Sequence, residues 1–246
     1  MNEKSENPFQ TQSDFNYLPL LVGITVVFVT LILFLLWQRR KGARRDILIT
    51  GLSDAGKTLL YSQLVHSQSK DTHTSIAVNV DEYITKNASV RVVDIPGHER
   101  LRGRFFDDYK DSARGIVFVV DSTTLHKDIR DVAEYLYTIL SDKSVTSNAP
   151  QVLILCNKQD LHMAKGSSII KALLEKEMNL VRVTKTRQLE SVDPTSSENV
   201  FLGKQGKDFE FSQLIQNIDF AECSAVSTEE KSAQLDQLTK WISRIA

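Results

Sequence analysis

Gly51-Leu52-Ser53-Asp54-Ala55-Gly56-Lys57-Thr58 follows the apolar run Ile47-Leu48-Ile49-Thr50 and fits the spacing G-x-x-x-x-G-K-[ST]. The spacing has a mechanism. Glycines let consecutive backbone N–H groups turn inward around a phosphate chain. The lysine reaches the outer phosphates, and the hydroxyl of the last residue holds Mg²⁺. The helix that opens at the end of the loop adds its positive N-terminal end. The competing reading is a chance Gly-rich turn before a helix, and two further motifs downstream argue against it.

Asp94-Ile95-Pro96-Gly97 closes a second apolar run, Val90-Arg91-Val92-Val93. An aspartate at the end of a strand beside the first binds Mg²⁺, usually through water, and Gly97 offers a backbone N–H near the terminal phosphate. Alone, D-x-x-G is a common turn. Asn157-Lys158-Gln159-Asp160 follows a third run, Val152-Leu153-Ile154-Leu155-Cys156. The Asp160 carboxylate accepts from the N1–H and exocyclic amine of guanine, whereas adenine presents an acceptor at N1. A site built to receive donors rejects a base that lacks them. Lys158 is expected to lie along the base plane, and Asn157 to tie this loop to the phosphate loop. A softer element, Glu222-Cys223-Ser224-Ala225, follows Ile218-Asp219-Phe220, so that Ser224 and the Ala225 N–H are candidates to support the guanine carbonyl.

Around these motifs strand and helix alternate. Strands are expected at 46–50, 77–84, 89–94, 115–121, 151–157 and 220–224, with 77–84 and 89–94 forming a hairpin. Helices are expected at 57–66, 128–141, 167–177 and 228–245. The run Gly-Ile-Val-Phe-Val-Val-Asp at 115–121 is apolar almost throughout, as in a strand buried on both faces. In 128–141, Ile129, Val132, Leu136, Ile139 and Leu140 recur every three or four residues. The fold class is therefore α/β, a mostly parallel central sheet with helices on both faces. Ligands bind such sheets outside the carboxyl ends of the strands, where the three motifs fall. Residues 190–210 are polar and turn-rich and are expected to form a long flexible loop.

Leu18 to Trp37 is twenty residues without a charge. At ~1.5 Å per residue this just crosses a hydrocarbon layer of ~30 Å. A core helix is rarely apolar on every face, and the stretch lacks the basic start and cleavage site of a signal peptide. The reading is one transmembrane helix at 18–37. Residues 38–45, Gln-Arg-Arg-Lys-Gly-Ala-Arg-Arg, carry five positive charges. The positive-inside rule then puts the domain at 46–246 in the cytosol and residues 1–17 in the lumen. Net charge over the chain is −1, which gives no overall field toward nucleic acid. Cys156 and Cys223 read as small buried residues of a reducing compartment, and the five histidines show no ligand spacing.

The phosphate loop, D-x-x-G, N-K-x-D and Ser-Ala together resemble the Ras-like small GTPases, nearest the Arf-like branch. With the late loop, Asp94–Glu99 and Lys207-Asp208-Phe209-Glu210-Phe211-Ser212-Gln213-Leu214, and with a span in place of a lipid site, the chain resembles the family of signal recognition particle receptor β subunits. That resemblance implies a P-loop NTPase of the Ras-like GTPase fold that takes GTP or GDP with Mg²⁺. The metal would be held by Thr58, by a switch I threonine and, through water, by Asp94. Thr74 is the candidate threonine, with Thr72 and Ser75 competing for the register. It also implies residence in the endoplasmic reticulum membrane and GTP-dependent binding of the N-terminal domain of the receptor α subunit. Signal recognition particle, ribosome and translocon would be met indirectly, without direct sequence-specific nucleic-acid contact. His98 stands where many hydrolysing relatives carry Gln. It is a candidate to position water, with a partner contact as the alternative, and intrinsic hydrolysis is expected to be slow. Two classes stay open, a cycling regulatory GTPase and a GTP-locked anchoring module. Another membrane-anchored Arf-like trafficking GTPase is the alternative identity.

Overall fold

The computed structural model describes residues 18–42, 45–67, 75–85, 88–192, 201–227 and 232–246. The chain divides into two units between Ala43 and Arg44. In the first, Leu18–Gly42 forms a helix, α1. Its described side chains, 21–35, are all exposed. They cover about 22 Å at ~1.5 Å per residue, and among the described residues no helix is long and apolar enough to cross a membrane.

The second unit carries six strands: β1 (Asp46–Thr50), β2 (Asn79–Ile84), β3 (Ser89–Asp94), β4 (Ala113–Asp121), β5 (Gln151–Asn157) and β6 (Ile218–Glu222). They form one sheet in the order β2-β3-β1-β4-β5-β6. The hairpin pair β2–β3 is antiparallel, and the other neighbours are parallel. The helices are α2 (Lys57–His66), α3 (Glu99–Tyr109), α4 (Leu125–Ser141), α5 (Lys143–Asn148), α6 (Ser167–Val192) and α7 (Asp236–Ile245).

Successive strand residues point to opposite faces, so each strand feeds two cores. Leu48, Phe118, Val120 and Ile154 join Leu136, Leu140, Ile170 and Leu174 on one face. Ile47, Ile49, Val117, Val119 and Leu153 join Leu60, Leu238, Trp241 and Ile242 on the other. That is why β1, β4 and β5 read as unbroken apolar runs. Each fully buried Leu, Ile or Phe contributes ~1.5–3 kcal/mol relative to exposure.

Several element boundaries differ from the sequence reading. Helix α3 lies in a stretch, Glu-Arg-Leu-Arg-Gly-Arg, whose charges obscure its periodicity; Phe106 is its one buried residue. Helix α5 is a short turn capped by Asp142, which accepts from the Ser144 and Val145 N–H groups at 2.8 and 3.2 Å. Helix α7 begins at Asp236 rather than near 228.

The largest difference is at 190–210. Helix α6 continues past Glu177 because Met178 and Val181 extend the buried spacing of Ile170 and Leu174. Leu202 and Phe209 are buried, so this part of the expected loop is packed. Arg182, itself buried, donates to the carbonyls of Leu202, Lys204 and Lys207 at 3.3, 3.4 and 2.6 Å. Its guanidinium also lies 5.0 Å from the centre of the Phe201 ring. Residues 193–200 of that expected loop lie outside the described residues.

Candidate nucleotide-binding site

The carboxyl ends of β1, β3, β4, β5 and β6 carry the sequence motifs to one edge of the sheet. After β1 the chain turns at Gly51 with φ +143°, where a Cβ would stand 2.3 Å from the Val119 carbonyl oxygen. Gly56 adopts φ +86°, and a Cβ there would meet the Asn157 amide nitrogen at 2.4 Å. No other residue type satisfies both demands without displacing backbone or the base loop. Helix α2 starts directly afterwards with no side-chain cap, leaving its first N–H groups to an anion.

Lys57 is buried, and its Nζ donates to the Leu52 carbonyl at 2.6 Å, folding the side chain back over the loop. Burial lowers its pKa to about 8, against the opposing charges of Asp94 and Asp54. Gly97 comes hard against this loop: a Cβ would lie 2.5 Å from the Lys57 Nζ and 2.6 Å from the Ser53 nitrogen. A cavity of about 300 Å³ remains, lined among others by Ser53, Gly56, Lys57, Thr58, Gly97 and Lys158.

Asp94 is fully buried at the end of β3. Its Oδ2 accepts from Thr58 Oγ1 at 2.9 Å and from Asn79 Nδ2 at 3.2 Å. Its Oδ1 has no hydrogen-bond partner. Burial raises the Asp94 pKa, while Thr58, Asn79 and Lys57 act in the other direction. An orphaned carboxylate oxygen beside a threonine hydroxyl fits a hydrated Mg²⁺, since hard cations take oxygen donors. Of the competing switch I residues, Ser75 shares a hydrogen bond of 2.9 Å with Thr58 Oγ1. Thr72 and Thr74 lie outside the described residues.

The base loop is tied on three sides. Asn157 donates to the Ala55 carbonyl at 2.9 Å, and its Oδ1 accepts from the Ala225 N–H at 3.1 Å. One buried amide thus joins the phosphate loop to the Ser-Ala loop. The Cys223 thiol reaches the same oxygen at 3.4 Å. Ser224 Oγ donates to Asp160 Oδ1 at 2.7 Å, fixing the exposed carboxylate at the rim. Lys158 adopts φ +66° and places its Nζ 2.6 Å from Asp121 Oδ2. Burial opposes ionisation of Asp121, but hydrogen bonds from Lys158 and Thr123 prevail and hold it below the usual carboxylate range.

His98 falls at a different kind of place. It is exposed, caps α3 through its Nδ1, which accepts from the Arg100 N–H at 3.4 Å, and does not line the cavity. Both cysteines are buried and free, and burial pushes the Cys156 thiol up to about 12. Among the described residues no three or more His, Cys, Asp or Glu gather as a metal cluster. The sequence reading missed Asp121 and Asn79. Asp121 left a signal, a carboxylate closing an apolar strand; Asn79 left none.

A family profile described as signal recognition particle receptor beta subunit matches residues 42–218. The signal recognition particle receptor subunit beta of Rattus norvegicus is 42% identical over 240 residues, covering 96% of this chain and 89% of that protein. The chain belongs to the signal recognition particle receptor β-subunit family. The structure of the mammalian SRP receptor matches with a TM-score of 0.72 at 44% identity, over 82% of this chain and 100% of that one. Its Ras/Arf-like α/β fold, with a mostly parallel sheet, is thereby shared. The Arf-like likeness extends to the ADP-ribosylation factor K of Dictyostelium discoideum, 32% identical over 56% of this chain and 70% of that protein. In this receptor β-subunit family member, the glycine-led phosphate loop and the Asn157 tie sit within the matched span.

Proposed function

We propose that this chain is a GTP-binding β subunit that is anchored by residues 18–37 in the endoplasmic reticulum membrane and holds the receptor α subunit there. The observation that carries the nucleotide assignment is the paired hold on the base loop: Asn157 to Ala55, and Ser224 to Asp160. Asp160 is the residue that selects guanine, and Lys158, fixed by Asp121, flanks the ring. Lys57, Gly97 and the N–H groups at the start of α2 would bind the phosphates. Thr58, Ser75 or Thr74, and Asp94 would hold Mg²⁺, which when bound neutralises phosphate charge.

Partner affinity would then report nucleotide state, because Gly97 and the loop after α2 meet the terminal phosphate and carry its presence to α3. A solved relative from Chaetomium thermophilum is described as an SRb-GTP/SRX complex. That description supports an α-subunit partner for this chain. The uncharged span and the basic stretch at 38–45 support the anchor, and the family supports the endoplasmic reticulum. Intrinsic hydrolysis would be slow, since the described His98 imidazole is engaged in capping α3.

The test purifies the chain, identifies the nucleotide it retains, and measures capture of the α-subunit N-terminal domain with GTP and with GDP. Retained guanine nucleotide and capture with GTP alone are expected. Equal uptake of ATP would overturn the nucleotide assignment, and equal capture in both states would overturn the switch.

A further inference from the structure

At the end of the sheet opposite the nucleotide motifs lies a second cavity of about 610 Å³. Its walls are Tyr83, Ile84 and Thr85 at the end of β2, and Thr239, Lys240, Ser243 and Arg244 on α7. Strand register fixes the place. Asn79 pairs with Asp94 at the nucleotide end, whereas Ile84 pairs with Ser89 at the far end. Asp46, the first residue of β1, pairs with Arg91 and Ala113 toward that same end.

We infer that this cavity docks the surface of an anionic lipid bilayer, with Lys240 and Arg244 taking a headgroup phosphate and Ile84 entering the interfacial layer. The inference rests on the membrane-anchor reading. Lys240 and Arg244 are four residues apart on one helix and therefore share a face. The hydroxyls of Thr85, Thr239 and Ser243 add donors between them. Ile84 is 79% exposed beside these cations. Water gains nothing from that pairing, whereas the boundary between headgroups and acyl chains takes both.

Charge also favours a lipid surface. At this end Asp46 is paired with Arg91, Asp142 with Lys110, and Asp219 with Arg244. Arg45, Arg114 and Lys240 are exposed there, with Asp111 the exposed acid facing them. The five positive charges of 38–45 run directly into β1, whose first residue lies at this end. An anionic bilayer is the one extended surface that the chain's own uncharged segment would bring within reach.

The experiment uses the full chain in lipid nanodiscs, of phosphatidylcholine alone or with phosphatidylserine added. An environment-sensitive fluorophore is placed on Ile84→Cys; native Cys156 and Cys223 are buried and stay unlabelled. A blue-shifted docked component is expected with phosphatidylserine. Each charge removed near such a surface should lower the docked-to-undocked ratio about five-fold, so Lys240→Gln gives about five-fold and Lys240→Glu about 25-fold. Emission that ignores phosphatidylserine, or a docked component that survives Lys240→Glu, overturns the docking site alone. A shift produced in phosphatidylcholine discs by added inorganic phosphate overturns the lipid assignment. A chain that does not enter discs overturns the anchor reading with it.

Discussion

Asp160 and Lys57 carry opposite ends of the ligand, and each has its own test. Ser224 orients one oxygen of Asp160, so Asp160→Asn replaces an acceptor by a donor in a fixed place. The variant should lose at least ~100-fold in GTP affinity and gain xanthosine nucleotide binding, read by competition against a fluorescent guanine nucleotide. Unchanged selectivity would remove Asp160 from the base site. For Lys57, burial lowers the pKa to about 8 from the model value of 10.5. In the free protein the unfolded chain therefore holds more protons between about pH 8 and 10.5, and stability rises with pH across that window. Phosphate binding works in the other direction, because it needs the charged form. GTP affinity should be flat below about pH 8 and fall by up to ~10-fold per unit just above it. Lys57→Arg should abolish that slope, measured by equilibrium titration between pH 7 and 9.

At the scale of elements, α4 props the phosphate loop from below. Tyr135 is buried, and its hydroxyl shares a hydrogen bond of 2.6 Å with Thr50 Oγ1, the residue before Gly51. The Arg102 guanidinium of α3 lies 4.4 Å from the centre of the same ring. Tyr135→Phe keeps the ring but strands the Thr50 hydroxyl in the core. It should destabilise the domain by about 1–3 kcal/mol, visible as a lower denaturant midpoint at unchanged slope. Helix α6 and the segment after residue 200 form a second such unit, closed by Arg182. Arg182→Met would leave the carbonyls of Leu202, Lys204 and Lys207 without that donor. The expected outcome is faster amide exchange and proteolysis across 201–210, with nucleotide affinity unchanged, because this segment is remote from the phosphate loop in the strand order.

Over the whole molecule the two cores share one sheet, so damage to either reaches the site. Trp241 packs against Ile47 and Val117 in the core beneath α7 and donates through its indole to Asp219 at 2.9 Å. Trp241→Ala should cost about 3–5 kcal/mol, read from thermal unfolding of the nucleotide-free protein. Ligand should restore part of the loss: GTP with Mg²⁺ at 100 times its dissociation constant adds ~2.7 kcal/mol by mass action. A variant that gains nothing from GTP would place the defect in the pocket rather than in the core.

Motif order, strand-ending carboxylates and the apolar runs of β1, β4 and β5 were legible in the chain, because local spacing dictates a phosphate loop and burial on both faces dictates composition. The uncharged stretch at 18–37 was legible for the same reason. Helix α3 was not, since its surface charges mask a single buried phenylalanine. Nor was the packing of 201–210, which depends on a buried arginine more than fifteen residues earlier reaching three carbonyls. The sequence named Asn157 and Asp160 for the base. Only the folded chain shows Asn157 bridging Ala55 and Ala225, Asp121 holding Lys158, and Asp94 left with one oxygen unsatisfied. Those contacts join residues far apart in the chain, and such pairings arise from the way strands stack rather than from any local pattern.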